Sequence, residues 1–127
     1  MIRLATVGTS GITEKFISAV KLTDRFCLET AYSRSADKGE RFCKKHGFNS
    51  FCSDINALAK GSDIDAVYIA SPNYLHYAQS KLFLENGKNV LCEKPITASA
   101  REYDELLNLA DQLKYEQKNG LPHKRNL

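Results

Sequence analysis

Several features that would set the class of this protein are missing from its sequence. There is no run of about 18 apolar residues, so we expect no membrane-spanning helix. The first residues, MIRLATVG, lack the basic start and apolar stretch of a signal peptide, and we expect a cytoplasmic protein. A chain of 127 residues can bury a core of its own, so it needs neither a disulfide nor a metal to fold.

The cysteines show no metal or redox pattern. None of the four belongs to a C-x-x-C pair, and His46 and His76 complete no metal-ligand spacing with them. Cys27 and Cys92 lie in apolar, strand-like runs, where a reduced cysteine behaves as a small hydrophobic residue. We therefore predict thiols of the core or surface and no metal site, with a metal or redox centre as the alternative.

The net charge of +3 does not come from a basic face. From residue 114 onward Glu116 stands against four basic residues, Lys114, Lys118, Lys124 and Arg125, and the rest of the chain is balanced. We therefore expect no nucleic-acid partner.

Residues from 114 onward break the apolar periodicity of the chain. We therefore predict one domain over residues 1–113 and a frayed helix end with a mobile polar tail over 114–127.

Apolar runs alternate with amphipathic segments along the domain. The strand-like runs are RLATVG from residue 3, FCLETAYS at 26–33, SFCS at 50–53, DAVYIAS at 65–71 and NVLCE at 89–93. Apolar residues at helical spacing separate them, as in Ile12, Phe16, Ile17 and Val20. Five strands alternating with helices predict an α/β fold with a doubly wound parallel sheet, whose ligands bind beyond the carboxyl ends of the strands.

Helix ends are marked by residues typical of caps. Gly47 and Gly87 are predicted to end helices, and Asp54 to begin one. Ser99 and Glu102 have the spacing of a capping box before the last predicted helix.

The segment VGTSGIT, at 7–13, joins the first strand to the first helix, where a dinucleotide phosphate loop would lie. It does not meet the G-x-G-x-x-G fingerprint, because Ser10 and Thr13 take the second and third glycine positions and Gly11 is out of register. A plain strand-to-helix turn is the alternative. The candidate cofactor-binding residues here are Gly8, Thr9, Ser10, Gly11 and Ile12.

No acidic residue follows the second strand, where NAD-binding folds usually hold the ribose hydroxyls. Ser33 and Arg34 stand there, and a guanidinium at this point could pair with a 2′-phosphate and stack on adenine. Lys38 would add positive charge to the same pocket. The pattern predicts NADP in preference to NAD; the alternative is that Arg34 is a solvated loop charge.

The fourth strand ends in ASPNYLH, at 70–76. Taken alone, Pro72 stops the strand, Asn73 caps the next helix and His76 lies on that helix's surface. In a cofactor cleft, Ser71, Pro72, Asn73 and His76 would instead line the nicotinamide ribose and reach toward substrate.

The fifth strand ends in Glu93, Lys94 and Pro95, which are poor residues for extending a sheet. They lie at the edge where a doubly wound sheet binds its ligands. Two explanations remain open for them, namely ligand chemistry or a charged strand exit that a proline closes.

In order and spacing, VGTSGIT, AYSRSADK, DAVYIASPNYLH and GKNVLCEKPIT resemble the N-terminal domain of the Gfo/Idh/MocA oxidoreductases, the glucose–fructose oxidoreductase and inositol dehydrogenase family. The resemblance implies a Rossmann domain that binds NADP or NAD for hydride transfer with a sugar or polyol. It also implies that Lys94 is catalytic, beside the nicotinamide, where it would hydrogen-bond the substrate hydroxyl or assist its proton transfer. Glu93 and Lys94 would bind the cofactor, and Glu93 would orient the lysine or the cofactor amide. Pro95 would fix the turn, with a cis bond accessible because it is X–Pro.

Members of this family are longer and carry a second α/β domain with most substrate contacts and the oligomer interface. We therefore expect this chain to be inactive, or nearly so, alone, and to self-associate, as a homodimer for example, through the surface that such a domain covers. A non-catalytic dinucleotide-binding sensor or partner-binding module is the alternative. A flavodoxin-like or receiver-like signalling domain would need acidic residues that the first strand lacks.

Overall fold

The computed structural model describes residues 1–94 and 100–118, and within them strands alternate with helices. The strands are β1 Ile2–Val7, β2 Phe26–Tyr32, β3 Ser50–Cys52, β4 Ala66–Ile69 and β5 Asn89–Cys92. The α-helices are α1 Gly11–Val20, α2 Ala36–His46, α3 Ile55–Lys60, α4 His76–Glu85 and α5 Ala100–Lys118, and a 3₁₀ turn spans Asn73–Leu75.

The five strands form one parallel sheet in the order β3-β2-β1-β4-β5. The chain adds strands outward from β1 in both directions, so the predicted doubly wound fold is confirmed. Because the strand order reverses between β1 and β4, the connections after these two strands diverge. Such a divergence opens a crevice at the carboxyl ends of the strands, where ligands of these sheets bind.

Helices bury both faces of the sheet, as the nearly continuous apolar run of β4 predicts. Val67 and Ile69 belong to a buried cluster with Phe83 of α4. Tyr68, whose side chain alternates to the other face, belongs to a second cluster with Val20 of α1. The packing therefore fixes α1 and α4 on opposite sides of the crevice.

Three predicted helix ends are confirmed. Gly47 adopts a left-handed conformation with φ +79°, and its N–H donates to the Cys43 carbonyl at 2.9 Å. The Asp54 carboxylate accepts from two N–H groups in the first turn of α3, at 3.0 and 3.2 Å. Gly87, with φ +82°, follows the end of α4.

The predicted cap at Asn73 is wrong. Asn73 is itself the first residue of the 3₁₀ turn, so it is not the flanking residue whose side chain could cap the helix. Pro72 precedes it with an extended backbone, and neither the turn nor α4 has a side-chain cap at its N-terminus.

Helix α5 continues to Lys118, beyond the predicted domain boundary at residue 113. Residues 119–127, which make up most of the predicted tail, lie outside the described residues, and so does Ser99 of the predicted capping box. The tail, the boundary and the capping box stay predictions.

An ion pair ties β1 to the start of β4 at the amino edge of the sheet, opposite the crevice. The Arg3 guanidinium donates to the Asp65 carboxylate at 3.0 and 3.2 Å, and the Arg3 backbone N–H donates to it at 2.8 Å. The guanidinium hydrogen bond is the main reason that the pKa of Asp65 is lowered. Both side chains remain about 40% exposed, so water screens the attraction between them.

The Asp65→Asn variant should have a lower free energy of unfolding than wild type at pH 7, because it loses a carboxylate that accepts three hydrogen bonds. A lowered folded-state pKa stabilises the protein above the unfolded value of 3.8, and this stabilisation is lost as pH falls through the folded value. Urea unfolding should therefore show a clear difference at pH 7 that narrows at about pH 2.

The control for this prediction is Glu40→Gln, which removes one partner of an exposed ion pair with Lys44 at 3.5 Å. Such pairs contribute little, so this variant should unfold almost like wild type at both pH values. A deficit of Asp65→Asn that is equal at the two pH values would contradict the assignment.

Candidate cofactor-binding cleft

A cleft of about 340 Å³ lies at the carboxyl ends of β1, β2 and β4. Its walls come from the three connections that the sequence identified, those after β1, β2 and β4. The predicted cofactor-binding residues that line it are Gly8, Thr9, Ser10, Ser33, Arg34, Lys38, Ser71 and Pro72. The parallel topology thus brings together residues that are far apart in the sequence.

The other predicted site residues do not line this cleft in the described part of the chain; they are Gly11, Ile12, Asn73, His76, Glu93 and Lys94. Gly11 and Ile12 begin α1 and are exposed. Glu93 and Lys94 directly follow β5, at the same edge of the sheet. The cleft adds residues that the prediction lacked: Val7, Tyr32, Ser35, Ala70, Leu75 and Gln79.

The loop after β1 can pass over β4 only because residue 8 is glycine. Gly8 has φ +121°, a conformation that other residues rarely adopt. A Cβ atom on it would lie 2.8 Å from the carbonyl oxygen of Ala70 and 3.1 Å from its carbon. The first glycine of the predicted phosphate loop is therefore required by both its backbone and its neighbour.

The other two positions of the glycine fingerprint need no glycine here. Ser10 has an ordinary φ of −82° and precedes α1 without capping it through its side chain. Thr13 is fully buried, and its hydroxyl has no hydrogen-bond partner among the described residues. Because no side chain caps the helix at Ser10, the N–H groups of its first turn can serve an anion.

The connection after β2 presents Arg34 to solvent through two serine hydrogen bonds. The Ser33 hydroxyl accepts from the Ser35 N–H at 3.2 Å, and the Ser35 hydroxyl accepts from the Lys38 N–H at 3.3 Å, which caps α2. Arg34 is exposed and has no ion-pair partner in the described part of the chain. None of the described residues that line the cleft is acidic.

A basic groove of about 370 Å³ borders the cleft. It shares Thr9 and Lys38 with the cleft and adds Arg41 and Lys45 from α2. Lys45 donates to Glu14 of α1 at 2.9 Å, and this is the main reason that the pKa of Glu14 is lowered. Arg41 has no such partner within residues 1–94 and 100–118. In the sequence, only its position one helical turn after Lys38 indicated that it lies on the same side of α2.

The buried side chain of His76 is hydrogen-bonded to the segment after β4. His76 is 1% exposed, so the expectation of a surface helix residue is wrong. Its Nε2 donates to the Ser71 carbonyl at 2.6 Å, because a carbonyl can only accept. The Ser71 hydroxyl in turn donates to Gln79 of α4. These bonds fix the loop that contributes Ser71 and Pro72 to the cleft wall.

Glu93, the first residue after β5, is hydrogen-bonded to the end of β4 and to a tyrosine. The Glu93 N–H donates to the Ile69 carbonyl at 2.9 Å, and the Tyr68 hydroxyl donates to the Glu93 carboxylate. Lys94 is exposed, and the ion pairs of the described residues do not include one between it and Glu93. Pro95 lies outside the described residues, so its cis bond stays a prediction.

Sequence reasoning missed Tyr68. It is 4% exposed and its ring stacks on Phe16 of α1, with centroids 3.8 Å apart and planes 3° apart. Burial, and then the hydrogen bond to Glu93, raise the pKa of Tyr68 well above its usual value. The phenol therefore stays protonated and acts as a donor to the carboxylate.

The described residues contain no group of three or more His, Cys, Asp or Glu side chains placed to hold a metal ion. All four cysteines are free. None of the helices in residues 1–94 and 100–118 combines the length and apolar character needed to cross a lipid bilayer.

Residues 2–116 match the family model described as "Oxidoreductase family, NAD-binding Rossmann fold", the model of the Gfo/Idh/MocA proteins. The chain belongs to the Gfo/Idh/MocA oxidoreductase family. The matched range covers the whole sheet, Gly8 and Gly11 of the loop after β1, and the segment after β5. The predicted family and its NAD(P)-binding Rossmann domain are thereby confirmed.

Among curated relatives of this Gfo/Idh/MocA domain is scyllo-inositol 2-dehydrogenase (NADP(+)) IolU of Bacillus subtilis. The two are 43% identical over 110 residues, which is 87% of this chain and 34% of the relative. The oxidoreductase YgjR of Escherichia coli is 40% identical over 82% of this chain and 32% of its own length. The chain thus spans about a third of the length of these relatives.

Solved structures agree with the fold and differ in their cofactor. The 3-ketoreductase KijD10 of Actinomadura kijaniata, in complex with NADP and TDP-benzene, is 28% identical with a TM-score of 0.82, over 88% of this chain and 34% of its own. The WlbA dehydrogenase of Chromobacterium violaceum, in complex with NADH and UDP-GlcNAcA, is 26% identical with a TM-score of 0.80, over 89% and 33%. Either nicotinamide dinucleotide is therefore compatible with this fold.

Proposed function

We propose that this domain binds NADP in preference to NAD and serves a dehydrogenase that acts on a sugar or polyol. We infer the preference for NADP from the connection after β2. It presents Arg34 without an ion-pair partner among the described residues and places Lys38 on the same wall. NAD-binding folds usually place an acidic residue there, which would repel a 2′-phosphate.

The dinucleotide would lie along the carboxyl edge of the sheet. The 2′-phosphate and ribose of its adenosine half would meet Ser33, Arg34 and Lys38, because this wall carries the positive charge. Its pyrophosphate would lie over Gly8, whose own N–H donates to the Tyr32 carbonyl at 3.5 Å, and would meet the N–H groups of Thr9 and Ser10. Gly11 and Ile12 would face it at the start of α1. The basic groove with Arg41 adds to the positive field on the phosphate side.

The nicotinamide half would extend toward the segments after β4 and β5. Ser71, Pro72 and Asn73 would line its ribose, while His76 holds that loop from the buried side. In this arrangement His76 is a supporting residue rather than a contact, because 99% of its surface is covered.

The nicotinamide ring would accept or donate the hydride at its C4 atom. The chain's own contribution would come from Lys94, whose exposed ammonium can hydrogen-bond the substrate hydroxyl and assist its proton transfer. Glu93 would fix the backbone from which that lysine projects, since its N–H is bonded to β4 and its carboxylate to Tyr68. The name of one relative, scyllo-inositol 2-dehydrogenase, supports a polyol as substrate.

We also propose that the chain self-associates through apolar side chains on its last strand and helix. Leu91 of β5 is 48% exposed, and Tyr103 and Leu107 of α5 are 43% and 45% exposed. Another chain or domain could cover these exposed apolar side chains.

Calorimetric titration of the wild-type chain with NADPH and with NADH tests the proposed cofactor. NADPH should bind at least tenfold more tightly, because its additional phosphate meets Arg34 and Lys38, and one tenfold step is about 1.4 kcal/mol. Equal affinities would refute the preference, and no heat with either cofactor at millimolar concentration would refute the proposed function itself.

A further inference from the structure

Tyr68 of β4 and Glu93 after β5 lie on the same face of the sheet. In the parallel register of β4 and β5, Tyr68 pairs with Leu91, so their side chains point to the same face. Glu93 follows Leu91 by two residues and continues the ladder through its bond to Ile69. Its side chain therefore points to the face that carries Tyr68 and α1, and this places its carboxylate within reach of the phenol.

The Tyr68 ring is held in one place by its surroundings. It lies parallel to Phe16 at 3.8 Å, and only 4% of its surface is exposed. Phe16 belongs to α1, the helix that begins at the predicted phosphate loop. One rigid contact thus connects the element that would bind the pyrophosphate with the segment that would face the nicotinamide.

The bond from Tyr68 determines what Glu93 can do. Its carboxylate accepts the phenolic proton, and the ion pairs of the described residues do not join it to Lys94. The expectation was that Glu93 orients the lysine or the cofactor amide through its carboxylate. Glu93 instead fixes the backbone from which Lys94 projects, because it is anchored at both its N–H and its side chain.

We propose that Tyr68 is a positioning residue, which holds Glu93 through its hydroxyl so that the segment of Glu93 and Lys94 is preset for the nicotinamide half of the cofactor. This inference rests on the proposed function, since it assumes that a nicotinamide dinucleotide occupies the cleft. It adds a specific residue, outside the cleft wall, that acts on only one half of the ligand. The adenosine half should be indifferent to it, because that half meets the connections after β1 and β2.

Tyr68→Phe tests the inference, because it keeps the ring and its stacking on Phe16 and removes only the hydroxyl. The probes are NADPH and 2′-phospho-ADP-ribose, which keeps the 2′-phosphorylated adenosine, the diphosphate and the second ribose but has no nicotinamide ring. Tyr68→Phe should weaken NADPH binding by about tenfold, as expected for the loss of a hydrogen bond to a charged group. Its affinity for 2′-phospho-ADP-ribose should stay within about twofold of wild type.

Tyr77→Phe is the matched control, because Tyr77 also donates to a carboxylate, that of Glu105 at 2.7 Å, but between α4 and α5. It should change neither affinity. If Tyr68→Phe leaves NADPH binding unchanged, or weakens both ligands equally, Tyr68 does not position the nicotinamide segment. A wild-type chain that binds neither ligand would refute the proposed function, whereas wild-type binding without the split in Tyr68→Phe would refute only this inference. Thermal unfolding of each variant shows whether the fold is kept.

Discussion

Gly8→Ala should abolish measurable NADPH binding and lower the free energy of unfolding by about 3 kcal/mol. The new Cβ would lie 2.8 Å from the Ala70 carbonyl oxygen, and that oxygen belongs to backbone that cannot rotate away. Alanine would also have to adopt φ +121°, which an L side chain disfavours. To relieve both conflicts, the loop must lift from the end of β4, and its N–H groups then no longer point at a bound pyrophosphate.

Gly11→Ala is the matched control, since it makes the same chemical change three residues later. A Cβ at Gly11 would meet nothing within 4 Å, and the residue has an ordinary helical backbone at the start of α1. The free energy of unfolding of this variant should exceed that of wild type by no more than about 1 kcal/mol, because alanine restricts the unfolded chain. Urea denaturation and NADPH titration of both variants check the pair. If Gly8→Ala unfolds like Gly11→Ala and binds NADPH like wild type, the loop does not have the geometry described.

Arg34→Ala should weaken NADPH binding by roughly 10- to 100-fold and leave NADH binding within about twofold of wild type. The 2′-phosphate distinguishes the two cofactors, and Arg34 is the side chain on the cleft wall that can meet it with two parallel hydrogen bonds. Lys38 would keep part of the preference, because it lies on the same wall.

Arg25→Ala is the control for charge, because Arg25 is also exposed but precedes β2 at the opposite edge of the sheet. It removes the same positive charge from the protein and should change neither affinity. Calorimetry on the three proteins separates a local contact from a general electrostatic effect. An equal loss of NADPH affinity in both variants would show that net charge, rather than Arg34, attracts the cofactor.

The sequence was sufficient for those features that local chemistry determines. Apolar periodicity predicted the five parallel strands, and glycine at residue 8 predicted a tight loop after the first strand. Only one of the three fingerprint glycines is present in register, yet the loop forms. Of the three positions, only that of Gly8 has a positive φ and so requires glycine. Ser10 has an ordinary backbone conformation, so its side chain can be accommodated.

The features that the sequence did not reveal depend on how distant segments meet. A tyrosine within an apolar strand is typical of a core residue, and only the register of β4 with β5 brings the Tyr68 hydroxyl to Glu93. His76 was expected on a helix surface, yet the 3₁₀ turn before α4 turns its ring inward to the Ser71 carbonyl. Arg41 lies on a regular polar helix, and its role in the basic groove appears only when α2 packs beside the loop after β1.

A crystal structure of the chain with NADP⁺ would test directly whether the dinucleotide lies along the carboxyl edge of the sheet. We expect density for the 2′-phosphate at Arg34, for the pyrophosphate at the N–H groups of residues 9 and 10, and for the nicotinamide beside the Lys94 amine. An empty cleft at millimolar cofactor, or a nicotinamide bound with the Lys94 amine directed away from it, would refute this mode of binding.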